Sequence, residues 1–202
     1  MGYAPPRAMP MLATEMMETL HGIRFLPVAR IQGTLLGLDA RWLGRRGLAL
    51  TLILALATPA GPLSQDSTVP LWIRVLVGLS SVAAVALTSL GHELGHAFAG
   101  KMAGLKVRAI VLAPEGGVTI RAASEHHHIN FRTALAGPMA NALFGTAFVA
   151  LALLIAPESN AAAWLTQVGA LQLVTALANL LPFGPMDGSH ILAAWRGLRG
   201  LP

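Results

Sequence analysis

The sequence is poor in charge and contains no cysteine: only 11% of its 202 residues are charged. The absence of cysteine excludes disulfide bonds and thiolate metal sites. Soluble domains carry about 25% charged residues, so this chain has too few charged residues to cover a water-soluble domain with a polar surface. Its 54% hydrophobic content indicates a membrane protein. The N-terminus also lacks the charged, apolar and small-residue order of a secretory signal, so we expect the chain's own helices to insert it.

Four long apolar segments follow one another along the chain. A transmembrane helix needs about 20 predominantly apolar residues, and segments near this length lie at about 47–63, 71–100, 133–156 and 161–181. The sequence therefore predicts an all-α polytopic membrane protein with about four transmembrane helices. Residues 1–45 are expected to form a cytoplasmic or interfacial N-terminal segment, and residues 46–202 the transmembrane core.

Most lysine and arginine residues lie in three regions: before the first apolar segment, between the second and third, and after the fourth. The other two connections contain no lysine or arginine and carry Asp66 and Glu158. Because basic loops stay on the cytoplasmic side, both termini and the 101–132 loop are predicted to be cytoplasmic. The net charge of +5 is thus explained by membrane orientation, and no nucleic-acid partner is expected. Arginine-rich, lysine-poor and alanine-rich usage suggests a bacterial inner membrane.

One of these loops has the pattern of β-strands. β-Branched residues alternate with others across 106–121, and Pro114-Glu115-Gly116-Gly117 supplies a turn. We therefore expect a small membrane-associated β-hairpin or sheet between helices 2 and 3. An isolated hairpin is marginally stable, and residues 29–43 offer one candidate further strand. Such a hairpin is also a candidate to hold an extended peptide as an added strand.

The second apolar segment contains the motif HELGH, residues 92–96. On a helix, His92 and His96 lie on one face, about 6 Å apart, so that two imidazoles can share one metal ion. Glu93 lies beside them and can accept a proton from water activated by the metal. The alternative is a pair of helix-end histidines that contact lipid headgroups. Ionisable residues in an apolar helix are costly and usually functional, which favours the metal.

A catalytic zinc ion takes three protein ligands and keeps one open position. The best candidate for the third ligand is Asp187, the acidic residue of NLLPFGPMDGSH, residues 179–190. Pro182 and Pro185 break the helix there, and unwound backbone at membrane depth must line a cavity or lie within protein. Glu115 in the hairpin turn is the weaker alternative, and Asp187 could instead belong to an ordinary helix-ending turn.

Together, these motifs and ALAGPMANALFG, residues 134–145, resemble the site-2 protease family of intramembrane zinc metalloproteases. The resemblance covers about residues 28–195. It implies one Zn²⁺ per chain held by His92, His96 and Asp187, with Glu93 as the catalytic base. The sequence departs from the family motif at Gly184, where the family has its second proline, but Asp187 stays in register.

Two further polar patterns each have two interpretations. Asn141 lies between Gly137 and Gly145 in a spacing typical of close helix packing, whereas the family resemblance implies that Asn141 contacts the substrate backbone or the oxyanion. A polar stripe on the fourth segment (Gln172, Thr175, Asn179) and another on the second (Ser81, Thr88) indicate either interhelical hydrogen bonds or a water path to the metal.

These features predict an intramembrane zinc metalloendopeptidase that hydrolyses peptide bonds within or near transmembrane segments, as in regulated intramembrane proteolysis. The resemblance implies single-pass membrane proteins as substrates, such as anti-sigma factors, membrane-held regulators or signal-peptide remnants. The active site is expected towards the cytoplasmic face of the bilayer. The rival function is a non-catalytic membrane protein, with a structural zinc or as a substrate-binding pseudoprotease. A structural site has no need of a base, so Glu93 argues against this rival.

Overall fold

The computed structural model describes residues 25–56, 70–113, 116–122, 124–156 and 158–201. Within these ranges the chain is mostly helical and carries one small sheet. The strands are β1 (Phe25–Ile31), β2 (Thr34–Asp39), β3 (Val107–Ala113) and β4 (Gly116–Arg121). The helices are α1 (Arg45–Leu56), α2 (Leu71–Met102), α3 (His127–Leu153), α4 (Asn160–Asn179) and α5 (Asp187–Leu198).

Three helices, α2, α3 and α4, are long and apolar enough to cross a membrane, so the chain is a multi-pass membrane protein. They match the second, third and fourth predicted segments. The first predicted segment corresponds to α1, whose described part has 12 residues, and the remainder of that segment lies outside the described residues. Helix α5 was not predicted from the sequence; it begins directly after the proline-containing break that follows α4.

The membrane helices bury small and polar residues and expose large apolar ones. On α2 the exposed positions recur along one face and include Trp72, Leu76, Leu79, Leu87, Leu94 and Phe98. The buried positions of the same helix are Gly78, Ser81, Ala84, Thr88, His92, Glu93, His96, Ala97 and Gly100. This inverted pattern is expected where lipid, not water, covers the outer surface.

The sheet has the order β1-β2-β3-β4, with an antiparallel hairpin at each side and a parallel pairing of β2 with β3 between them. The predicted 106–121 hairpin is present as β3 and β4. Strand β3 lies inside the sheet, and its Ala109 and Val111 are completely buried. Strand β4 is an edge strand of the described sheet, and it packs against α2.

The prediction of a single strand at residues 29–43 was wrong. This segment forms the end of β1, then β2, then a short 3-10 helix, Ala40–Leu43. Between the strands, Gln32 and Gly33 both have positive φ angles, of 47° and 78°, which is the backbone of a tight two-residue hairpin turn. The 3-10 helix begins where buried Asp39 accepts a hydrogen bond from the backbone N–H of Arg41, at 2.8 Å.

Residues of the two polar stripes take part in hydrogen bonds between α2 and α4, and the stripe on α4 extends to a cleft. The Nε1–H of Trp164 donates to Ser81 Oγ at 2.8 Å, and the amide of Gln172 donates to Thr88 Oγ1. These contacts are interhelical hydrogen bonds, which was one of the two interpretations. Further along α4, Thr175 and Asn179 line a cleft that also contains His92 and Asp187.

Candidate metal centre

Helix α2 and the first residue of α5 bring three metal-binding side chains together. His92 Nε2 lies 3.1 Å from Asp187 Oδ2, and His96 Nε2 lies 3.2 Å from Asp187 Oδ1. The two histidine Nε2 atoms are 3.1 Å apart. The structure thus places His92, His96 and Asp187 in one cluster, and it is the group among the described residues that could hold a metal ion. Glu115 lies outside the described residues.

The spacing and surroundings of the three side chains fit an ion with tetrahedral coordination. Ligands bound to zinc at about 2.0–2.1 Å in tetrahedral geometry are about 3.3 Å from one another, close to the separations seen here. Because Gly137 of α3 has no side chain, the two imidazoles can lie directly against this position. A Cβ atom at Gly137 would lie 2.2 Å from His96 Nε2 and 2.7 Å from His92 Nε2, so any larger residue would displace the ligand atoms.

A hydrogen bond from α3 orients one of the imidazoles. His96 Nδ1 lies 2.7 Å from the carbonyl oxygen of Thr133. A carbonyl can only accept, so Nδ1 carries the proton and Nε2 presents its lone pair to the cluster, as in most metal-binding histidines. The backbone of α3 therefore fixes both the ring angle and the tautomer of His96.

The segment between α4 and α5 delivers Asp187 to the histidines. It contains Pro182 and Pro185, and Gly184 between them has a φ of +51°. Proline is restricted to a φ near −65°, so a proline could not occupy position 184 in this conformation. Although burial opposes its charge, hydrogen bonds with His92 and His96 lower the pKa of Asp187 to about 2. Its carboxylate is thus ionised at neutral pH.

Glu93 lies against the sheet beside the cluster. Its side chain is buried, and its Oε2 atom lies 2.7 Å from the hydroxyl of Thr119 on β4. Gly117, two residues earlier on the same strand, is in close contact with the Glu93 side chain. The base predicted from the motif is thus held against β4 at the edge of the candidate metal centre.

An open cleft of about 990 Å³ connects these residues to the surface. Glu93, Asn141 and Asp187 line it together with residues of β4. Asn141 is buried, and its Oδ1 has no hydrogen-bond partner among the described residues. Arg121 lies at the cleft as well; burial lowers the pKa of its guanidinium, but arginine remains charged at neutral pH.

Three residues that shape the site were not predicted to do so, although Gly137 was expected to permit close helix packing. Thr133 and Gly137 act on the imidazoles from α3, and Thr119 contacts Glu93 from β4. A signal for Gly137 is its place in the Gly-Pro stretch of the third apolar segment, where small residues permit close approach. No local pattern identifies Thr119, because its partner is 26 residues earlier in the chain.

Comparison with known proteins agrees with this geometry. The sequence profile of the Peptidase M50B-like family matches residues 67–183, which is more than half of the chain. The chain is 32% identical over 136 residues to Rip3 of Mycobacterium tuberculosis, covering 63% of this chain and 34% of Rip3. It is 29% identical over 143 residues to MJ0392 of Methanocaldococcus jannaschii, covering 66% of this chain and 42% of the relative. Both relatives are named zinc metalloproteases.

A solved structure shares the fold. The site-2 protease from Methanocaldococcus jannaschii superposes with a TM-score of 0.61 at 23% identity, covering 88% of this chain and 74% of that chain. The aligned part of this chain spans only about a third to two fifths of the length of the two curated relatives. The relatives, the shared fold and the HELGH motif agree with the profile match, and the chain belongs to the Peptidase M50B-like family.

Proposed function

We propose that the protein is an intramembrane zinc metalloendopeptidase that cleaves within or near transmembrane segments of other membrane proteins. The observation that carries this proposal is the convergence of His92, His96 and Asp187 beside a buried glutamate. A structural zinc site is closed by four protein ligands, whereas this cluster supplies three and opens onto a cleft. The proposal thus favours hydrolysis over the structural-zinc and pseudoprotease alternatives.

The residues of the chain have separate roles in this reaction. His92, His96 and Asp187 would hold Zn²⁺, and the bound ion would act as a Lewis acid, which lowers the pKa of water to about 7 and polarises a carbonyl group. Glu93 accepts the proton of the attacking water and then delivers it to the leaving amine. Asn141 donates from its amide to the substrate backbone or to the developing oxyanion, since its side chain is buried and lines the same cleft.

We further propose the arrangement in the membrane. A fourth crossing, in the region of α1, precedes the three long helices. Both termini and the sheet face the cytoplasm, because the basic residues are concentrated there. Water then reaches the centre from the cytoplasmic side of a bacterial inner membrane. The substrates are single-pass proteins of the kind that the family resemblance implies: anti-sigma factors, membrane-held regulators or signal-peptide remnants.

The sheet offers a place for an unwound substrate. A helical substrate hides its carbonyl groups in hydrogen bonds and must unwind before cleavage. Strand β4 is an edge of the described sheet and lines the cleft, so an extended peptide can add to it as a further strand. Val118 of β4 is exposed, so a substitution at this position tests the addition of the substrate strand.

The proposed function is tested by Glu93→Gln in detergent-purified protein, with zinc content and cleavage of a single-pass model substrate measured on the same sample. Glutamine preserves the shape of the side chain but cannot take a proton. We expect one zinc per chain and a rate lower by about 100- to 10,000-fold. If the wild type binds zinc and cleaves nothing, the structural-zinc alternative takes precedence. If Glu93→Gln cleaves at the wild-type rate, Glu93 is not the catalytic base.

A further inference from the structure

Strand β4 contacts the side chain of Glu93 at two alternate positions. Gly117 and Thr119 are two residues apart and therefore point to the same face of the strand, which is the face towards α2. The intervening Val118 points away and is exposed. The Thr119 hydroxyl lies 2.7 Å from Glu93 Oε2 and 2.9 Å from the backbone carbonyl oxygen of the same residue.

This contact constrains a side chain that is otherwise flexible. A glutamate has three side-chain torsions, and a catalytic base must be held within hydrogen-bond reach of the proton that it takes. At Gly117 a Cβ atom would lie 2.3 Å from Glu93 Cγ and 2.6 Å from Oε1, so the glycine lets β4 press directly on the side chain. Among the described residues, Thr119 is the hydrogen-bond partner of the Glu93 carboxylate.

The Thr119 hydroxyl lies within hydrogen-bond distance of two Glu93 oxygens, the side-chain Oε2 and the backbone carbonyl oxygen. A threonine hydroxyl has one proton, so it donates to one of the two Glu93 oxygens at a time, and its lone pairs can also accept. The carbonyl oxygen belongs to the backbone of α2 and does not move with the side chain. When the hydroxyl donates to Oε2, it ties that oxygen to β4, the strand that packs against the helix carrying both histidines.

Building on the proposed function, we propose that Thr119 is a positioning residue for the catalytic base. Its hydroxyl holds Glu93 Oε2 and leaves Oε1 to exchange a proton with the attacking water and the leaving amine. The same strand is the free edge at which the substrate is proposed to add, so one element positions both the base and the peptide. Thr119 acts through Glu93 and does not itself touch the reacting atoms.

The test compares Thr119→Val, which removes the hydroxyl at nearly constant shape, with Thr119→Ser, which keeps it. Zinc content, thermal stability, kcat and KM are measured on the full chain with a single-pass substrate. We expect Thr119→Val to keep one zinc per chain and a KM within about 2-fold of wild type, while kcat falls about 10- to 100-fold, as for a misplaced catalytic group. Thr119→Ser should recover kcat to within about 3-fold of wild type.

Thr88→Val is the matched control, because it removes a buried hydroxyl of α2 that bonds Gln172 and not Glu93. It should lower stability and leave kcat near wild type. In a Glu93→Gln background, Thr119→Val should cause no further loss of rate.

Three results would overturn the positioning role while the wild type still cleaves. They are an unchanged kcat in Thr119→Val, equal losses in the Val and Ser variants, and loss of zinc in Thr119→Val. Should Thr119→Val fail to fold, Thr119→Ser and Thr119→Ala decide the question by the same comparison of kcat. A wild type that binds zinc but cleaves nothing would instead reject the proposed function, and this inference with it.

Discussion

The two halves of α2 differ in what they bury: the first half buries small residues, and the second half also buries ionisable ones. In the first half the buried positions are Gly78, Ser81 and Ala84, and a single hydroxyl, that of Ser81, bonds the neighbouring α4. In the second half they include His92, Glu93 and His96, and three other elements serve them: α3, α5 and β4. Ordinary helix packing thus needs only small residues and one or two hydrogen bonds, whereas the buried ionisable groups of this helix take polar partners from three neighbouring elements.

Two glycines within α3, Gly137 and Gly145, provide the strongest test of this comparison. Gly137→Ala places a methyl group among the Nε2 atoms of His92 and His96. We expect zinc affinity and cleavage to fall by at least about 100-fold, measured by metal analysis and substrate turnover.

Gly145→Ala is the matched control, because Gly145 lies where α3 packs against α4. Its methyl group would meet Leu173 Cγ at 2.8 Å and the Gly169 carbonyl oxygen at 2.9 Å, far from the ligands. We expect lower thermal stability with zinc retained. Equal loss of zinc in both variants would show that the two regions are not separable.

Asn141→Ala distinguishes a catalytic role of this residue from a helix-packing role, since Asn141 lines the same cleft as the candidate metal centre. The side chain is buried and its Oδ1 is unpartnered among the described residues, so its removal costs little hydrogen bonding in the resting protein. We expect kcat to fall by about 100-fold, as for other oxyanion donors, with zinc and thermal stability nearly unchanged. A loss of stability with normal kcat would assign Asn141 to helix packing instead.

Gln172→Leu tests whether the hydrogen bond between α4 and α2 affects the metal ligands as well as helix packing. It removes the hydrogen bond that joins α4 to Thr88, one turn before the first histidine. Interhelical hydrogen bonds in membranes contribute about 0.6 kcal/mol on average, so we expect a drop of about 1 kcal/mol or less in unfolding free energy and a normal kcat. A large loss of zinc would mean that this hydrogen bond positions the ligands.

Leu87→Ala should have the smallest effect. Leu87 is 66% exposed on the outer face of α2, where lipid covers it in both variants. We expect a change below about 0.5 kcal/mol in unfolding free energy, and no change in zinc content. A loss above about 2 kcal/mol would indicate a protein contact on this face.

The sequence was most informative where a local pattern determines the contact. The spacing of His92 and His96 places them on one helical face, and the prolines around Gly184 indicate the break that delivers Asp187 to them. The N-terminal hairpin was missed because its turn has glutamine before glycine, a weaker signal than asparagine or aspartate in that place. The contacts of Thr119 and Thr133 could not be predicted, since both depend on how the sheet and α3 pack on α2.

The central claim is that three side chains from α2 and α5 hold one catalytic zinc. Its most direct test is the zinc stoichiometry of Asp187→Ala beside wild type, after dialysis against a mild chelator and with helix content checked by circular dichroism. We predict one zinc per chain in the wild type, and its loss with cleavage from Asp187→Ala at unchanged helix content. A variant that keeps one zinc per chain and cleaves normally would contradict the account, because the metal would then be held without the aspartate that the fold brings to it.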